Sequence, residues 1–219
     1  MNFSTNYYQN ELSQIKMTSK EIEQCVYSNP MRFEHEKNGL IESCQLPYMV
    51  GPFYDYIKRN NKIPTFEEYY RLYVNNNQNF ITSLGITMRE LVKNEELNIG
   101  LKGRLNRTWL SLIRDVHFAK LCKEKSNGEF DVLYNRDLDN KNDVDIMIVL
   151  DGSYYAICLF VDTKRSNKYR KEKEHRHERF SNVEYIEHTI PMSRFDGKDN
   201  EVVLFNEHDF ETIMEKIGY

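Results

Sequence analysis

The 219-residue chain predicts an α/β protein of the α+β kind, with helices first and a sheet after them. Three observations carry this. Apolar residues recur at helical spacing up to about residue 125. From residue 130 they fall instead into short runs rich in β-branched and aromatic residues. Two of these runs are separated only by "DGS" at 151 to 153, a spacing that fits an antiparallel hairpin.

In the first half, Thr18-x-x-Glu21, Thr65-x-x-Glu68 and Thr87-x-x-Glu90 have the form of capping boxes. In such a box the threonine hydroxyl and the glutamate carboxylate satisfy amides that a helix start leaves unpaired. After Pro64, "TFEEYYRLYV" sets Phe66, Tyr69, Tyr70 and Tyr73 on one broad face, and Asn75 to Asn77 mark its end. This stripe is read as core packing rather than as a base-stacking platform. "RTWLSLIRDVHFAKLCKE" is the strongest helix, with Trp109, Leu112, Ile113, Val116, Ala119 and Leu121 along its apolar stripe and Trp109 as a core anchor.

The β-rich runs are "FDVLY", "DVDIMIVL", "YYAICLFV", "EYIEHTI" and "EVVLF". Between the third and fourth lies "RSNKYRKEKEHRHERF", which reads as a basic helix, and "NEHDFETIMEKIG" reads as a C-terminal helix behind an Asn or Asp cap. The chain divides best near residue 100, into a helical N-terminal lobe (1–100) and an α/β core (101–219).

Composition narrows the function classes. The chain is 40% hydrophobic and 13% aromatic, which suits a folded core. A net charge of −4 means that nucleic-acid binding must rest on local clustering of Lys and Arg. Cys25, Cys44, Cys122 and Cys158 are widely spaced, so neither a disulfide framework nor a structural zinc site is signalled. The first residues lack the pattern of a signal peptide and no apolar run is long enough to span a bilayer, so the expectation is a cytoplasmic protein without a membrane partner.

The chemistry concentrates at the end of the third β-rich run. Side chains alternate along a strand, so Asp162 and Lys164 project together while Thr163 points away. Asp143 and Asp145 share a face in the preceding run, and a staggered or bent hairpin brings one of them towards Asp162. Two carboxylates beside an ammonium supply hard oxygen ligands for a divalent cation and a group that orients its water. Behind them the basic segment sets Arg170, Lys173 and His177 along one helical face, preceded by Lys164, Arg165 and Lys168. Arg104 and Arg107 lie ahead of the Trp109 helix and extend the same cationic set.

The order helix, strand, Asp145-x16-Asp162-x-Lys164 and basic helix resembles the core of the PD-(D/E)xK, restriction-endonuclease-like, nuclease superfamily. The resemblance covers roughly residues 104 to 205. It differs from the family pattern in lacking a proline before the first aspartate and in having Asp rather than Glu before x-Lys. It implies a restriction-endonuclease-like core, a mixed central sheet flanked by helices in the order αβββαβ. It further implies that Asp145 and Asp162 hold Mg2+ or Mn2+ with the Thr163 carbonyl, and that Lys164 helps to activate water. Asp115 in "IRDVH" is the candidate for an additional acidic residue on the first helix, with a structural ion pair to Arg114 or His117 as the alternative. The expected activity is that of a metal-dependent endonuclease cutting DNA, in restriction or phage defence. The competing expectation is a catalytically inactive nuclease-like subunit that binds nucleic acid or regulates a defence complex. The N-terminal lobe is the expected surface for a homodimer or a larger complex.

Overall fold

The computed structural model describes residues 2–28, 33, 36–162, 179–195 and 202–219. All three capping boxes form. Thr18, Thr65 and Thr87 each take the N–H of the glutamate three residues on and receive its carboxylate in return. They start α1 (Ser19–Tyr27), α4 (Phe66–Asn76) and α5 (Met88–Lys93). Between the first two lie α2 (Gly39–Ser43), capped by Asn38, and α3 (Gly51–Asn60), which has a proline in its first turn.

The longest helix is α6 (Glu95–Lys125), whose 31 residues span about 46 Å at the standard rise. It passes residue 100 without a break and packs against α1, α2, α4 and α5 as well as the sheet. Trp109 is fully buried on it, and the indole N–H donates to the Pro64 carbonyl at 3.0 Å. Tyr69 and Tyr73 are also fully buried, and their hydroxyls donate to the Met49 and Pro47 carbonyls. Tyr69 and Tyr73 are therefore core, their polar ends satisfied by backbone, while the half-buried Tyr70 donates to Asn98 Oδ1 at 2.6 Å.

The sheet holds four strands in the order β1 (Asp131–Leu133), β2 (Ile146–Leu150), β3 (Ser153–Val161) and β4 (Glu184–Ile190). The first three form an antiparallel meander, and β4 runs parallel to β3. Asp151 and Gly152 both have positive φ in the β2–β3 turn, the geometry that matches a two-residue hairpin to strand twist. The helix α7 (Arg136–Asn142) follows β1, and α8 (Glu207–Lys216) closes the described chain. Val202–Phe205 are buried yet form no ladder among the described residues; the Arg114 and Arg194 guanidinium groups donate to the Val203 and Leu204 carbonyls instead. The fold is thus mixed helix and sheet, with eight α-helices among the described residues.

Alternation gives the sheet two different faces. Ile146, Ile148, Ile157, Leu159 and Ile186 join the main core with α6. Leu133, Met147 and Ala156 turn the other way, into a smaller cluster with Phe3, Leu138, Val144 and Phe180. The N-terminal segment thus covers part of the face opposite α6.

Candidate active site

Asp145 stands immediately before β2. Ile157 faces Ile146 in the β2–β3 register, and its carbonyl also receives the Asp145 N–H at 3.1 Å. Two residues of one strand thus meet one of the other, the geometry of a β-bulge, which bends a strand and increases its twist. The Leu159 N–H, displaced from a backbone acceptor by this step, donates to Asp145 Oδ2 at 2.6 Å. A half-buried carboxylate here completes the ladder, a charge-assisted bond of the stronger kind.

Asp162 lies just past the end of β3, exposed, with its backbone N–H donating to the Ile190 carbonyl at 2.9 Å. Because Asp145 and Ile146 both meet Ile157, Asp162 lies five residues further along β3 than the residue Asp145 faces. Along a straight strand that separation is about 17 Å.

Cys158, Phe160 and Asp162 alternate on the same side of β3. The Cys158 thiol donates to the Asp143 carbonyl at 3.0 Å. Burial pushes that thiol far above the usual thiol range, and the Asp145, Asp143 and Glu187 carboxylates add to the rise against the opposing charge of Arg179. The surroundings of Cys158 are therefore acidic, from Asp143, Asp145 and Glu187. Glu187 was not among the residues expected from sequence. Its signal is strand alternation in "EYIEHTI", with its β4 position opposite Cys158. Among the described residues no group of three His, Cys, Asp or Glu side chains is arranged to hold a metal ion. Asp145 and Asp162 are hard oxygen donors of the type Mg2+ prefers, so their chemistry fits a divalent cation.

Asp115 is half-buried on α6. Its charge acts on a hydroxyl pair at the end of β1, Tyr54 and Tyr134, whose oxygens are 2.6 Å apart. Burial raises both phenols well above their ordinary value; Asp139 adds to the rise at Tyr54, and Tyr54 with Asp115 at Tyr134. Arg104 donates to the Ile41 and Cys44 carbonyls at 2.5 and 2.8 Å. Arg107 donates to the Glu36 carbonyl and pairs with Glu42. Arg104 thus reaches α2 and the residue that ends it, and Arg107 reaches α2 and the segment before it. Thr163, Lys164, Arg165, Lys168, Arg170, Lys173 and His177 lie outside the described residues.

The four cysteines are free thiols. No helix among the described residues is long and apolar enough to cross a membrane. Compared with known family models, curated proteins and solved structures, the chain matches none.

Proposed function

We propose that the chain is a metal-dependent endonuclease of the restriction-endonuclease-like class, acting on DNA. The observation that carries this reading is the order of elements around the two aspartates. A long helix precedes an antiparallel β1–β2–β3 meander, β4 returns parallel to β3, and Asp145 and Asp162 flank the open end of the β2–β3 hairpin. The αβββαβ order that the sequence resemblance implies is met only in part, since α7 stands between β1 and β2 and the stretch between β3 and β4 that would carry the basic helix lies largely outside the described residues.

In this reading Asp145 and Asp162 would hold Mg2+ or Mn2+ with the Thr163 carbonyl, and the ion would supply Lewis-acid stabilisation of charge on the phosphate. The Leu159 N–H fixes the Asp145 carboxylate in one orientation before any substrate arrives. Lys164 orients the attacking water, and the cations from Arg165 to His177 take the phosphate backbone. Restriction or phage defence is the role in which such an activity is most at home.

A specific observation also favours the second reading, a nuclease-like nucleic-acid-binding or regulatory subunit without chemistry. Asp145 Oδ2 is already engaged by the Leu159 amide, within the ladder. The test is incubation of the purified chain with supercoiled plasmid and Mg2+, with and without chelator. Chelator-sensitive nicking or linearisation supports the enzyme. A salt-sensitive DNA shift with no metal requirement and no cleavage supports the binder.

A further inference from the structure

The sheet face opposite α6 changes character along β3. Over its start Phe3, Tyr8, Tyr154 and Phe180 pack ring against ring, with centroids 5.0 to 6.3 Å apart. Further on, Cys158, Phe160 and Asp162 follow on the same side, and the charges of Asp145, Asp143 and Glu187 reach the Cys158 thiol. Arg179 stands where the two parts meet. Its guanidinium carbon lies over the Tyr185 ring, 4.7 Å from the ring centre, and the Tyr185 hydroxyl accepts the Phe180 N–H at 3.0 Å. Tyr185 in turn faces Ala156 in the β3–β4 register, midway between Tyr154 and Cys158.

The stretch that carries Arg179 is held from the far end of the chain. Phe3 exchanges two hydrogen bonds with the Asn182 side chain, at 2.7 and 3.1 Å, and the Ser181 hydroxyl donates to Asn2 Oδ1 at 2.6 Å. Phe180, next to Arg179, is buried. The Arg179 side chain is thus exposed on a fixed backbone, which lowers the ordering cost of any contact it makes.

Arg104, Arg107, Arg114 and Arg194 spend their donors on protein carbonyls or carboxylates. Arg179 forms no hydrogen bond or ion pair among the described residues and rests on an aromatic face. A guanidinium over a ring keeps its in-plane fork of N–H donors free, and that fork matches the oxygens of a phosphate. It also sets a positive charge among Asp143, Asp145 and Glu187, which by themselves would repel a phosphate backbone. We infer that Arg179 binds a phosphate of the nucleic-acid backbone, an inference that rests on the nucleic-acid reading of the site. Ala156, which Tyr185 faces, is six residues before Asp162, about 20 Å along a straight strand, so this phosphate flanks the one at the aspartates. The contact therefore serves binding rather than the cut.

The experiment follows binding of a short labelled DNA duplex by fluorescence anisotropy in chelator, between about 50 and 200 mM salt, with thermal melting alongside. It compares the parent with Arg179→Ala and Arg179→Lys. Arg179→Ala melts as the parent does, binds about three- to tenfold more weakly and has a salt slope shallower by about one, because one phosphate contact is lost. Arg179→Lys keeps the charge and the slope but loses the planar fork over Tyr185, so its affinity falls between the two. A folded Arg179→Ala with parental affinity and slope, or one that binds more weakly with the slope unchanged, overturns the inference and leaves the nucleic-acid reading standing. A parent that binds no duplex overturns both. Should Arg179→Ala fail to fold, Arg179→Gln removes the same charge, and a parental slope in that variant overturns the inference equally.

Discussion

Asp145 and Leu159 are joined by a hydrogen bond in which a side-chain carboxylate takes the place of a strand carbonyl, at 2.6 Å. The relationship gives Asp145 two separable duties, one to the ladder and one to the proposed chemistry. Asp145→Ala removes the acceptor and leaves a half-buried amide without it, which costs about 1–3 kcal/mol. Asp145→Asn retains an oxygen acceptor in the same place and costs less than about 1 kcal/mol beyond the lost charge assistance. Chemical denaturation of the two variants gives this ranking, while both lose DNA cleavage because both lose the anionic ligand.

Acid weakens the fold in two stages. His117 is 5% exposed, and its Nδ1 has no hydrogen-bond partner among the described residues. Burial holds its pKa down at about 4, against the counteracting charge of Glu124. Because the folded value lies below the unfolded one near 6.5, the unfolded chain takes up the proton first. The stabilisation is full above about pH 6.5 and is lost as pH falls towards 4, an effect of about 3 kcal/mol at most. Asp209 follows at lower pH. Burial opposes its ionisation, but hydrogen bonds from His188 and Arg194 outweigh that and hold the carboxyl below its usual value. Its contribution is present above the unfolded value and is lost as pH falls through the depressed one. Urea melts from pH 7.5 to 4.5 show the first stage, and His117→Leu flattens it.

Gly103 and Gly39 respond oppositely to alanine. A Cβ on Gly103 would overlap the Glu36 carbonyl, the same carbonyl that receives Arg107, so the chain before α2 has to move. Gly103→Ala destabilises by about 2 kcal/mol or more, despite alanine's better helix propensity. At Gly39 nothing lies within 4 Å of the added methyl, and Gly39→Ala stabilises by about 0.5 kcal/mol. Thermal melts of the two variants shift in opposite directions.

Much of this architecture is legible in the residues themselves. The threonine capping boxes form, and Ile146 and Ile148 separate from Met147 by alternation alone. The turn at Asp151 and Gly152 is dictated by the need for positive φ. What local pattern cannot express is where a polar group finds a distant partner. The bulge at Asp145 depends on the Leu159 amide fourteen positions away. "EVVLF" has strand composition, yet arginine donors satisfy its Val203 and Leu204 carbonyls in place of a neighbouring strand. The cationic character of Arg104 and Arg107 is plain in the sequence. Their direction, towards backbone carbonyls some sixty to seventy residues earlier, emerges only from packing. Glu187 is recoverable from alternation once β4 is set parallel to β3.

If Asp162 is a metal ligand of a nuclease site, as proposed, removing its carboxylate separates cutting from binding, and cleavage by Asp162→Ala beside the parent reads this out. Plasmid cleavage at saturating protein with Mg2+ is followed together with DNA binding by fluorescence anisotropy. The parent is expected to cut only with the metal, and Asp162→Ala to bind as well or more tightly but to cut slower by about two orders of magnitude or more. An Asp162→Ala variant that cleaves at the parental rate, or a parent that cleaves no DNA under any divalent cation, contradicts it.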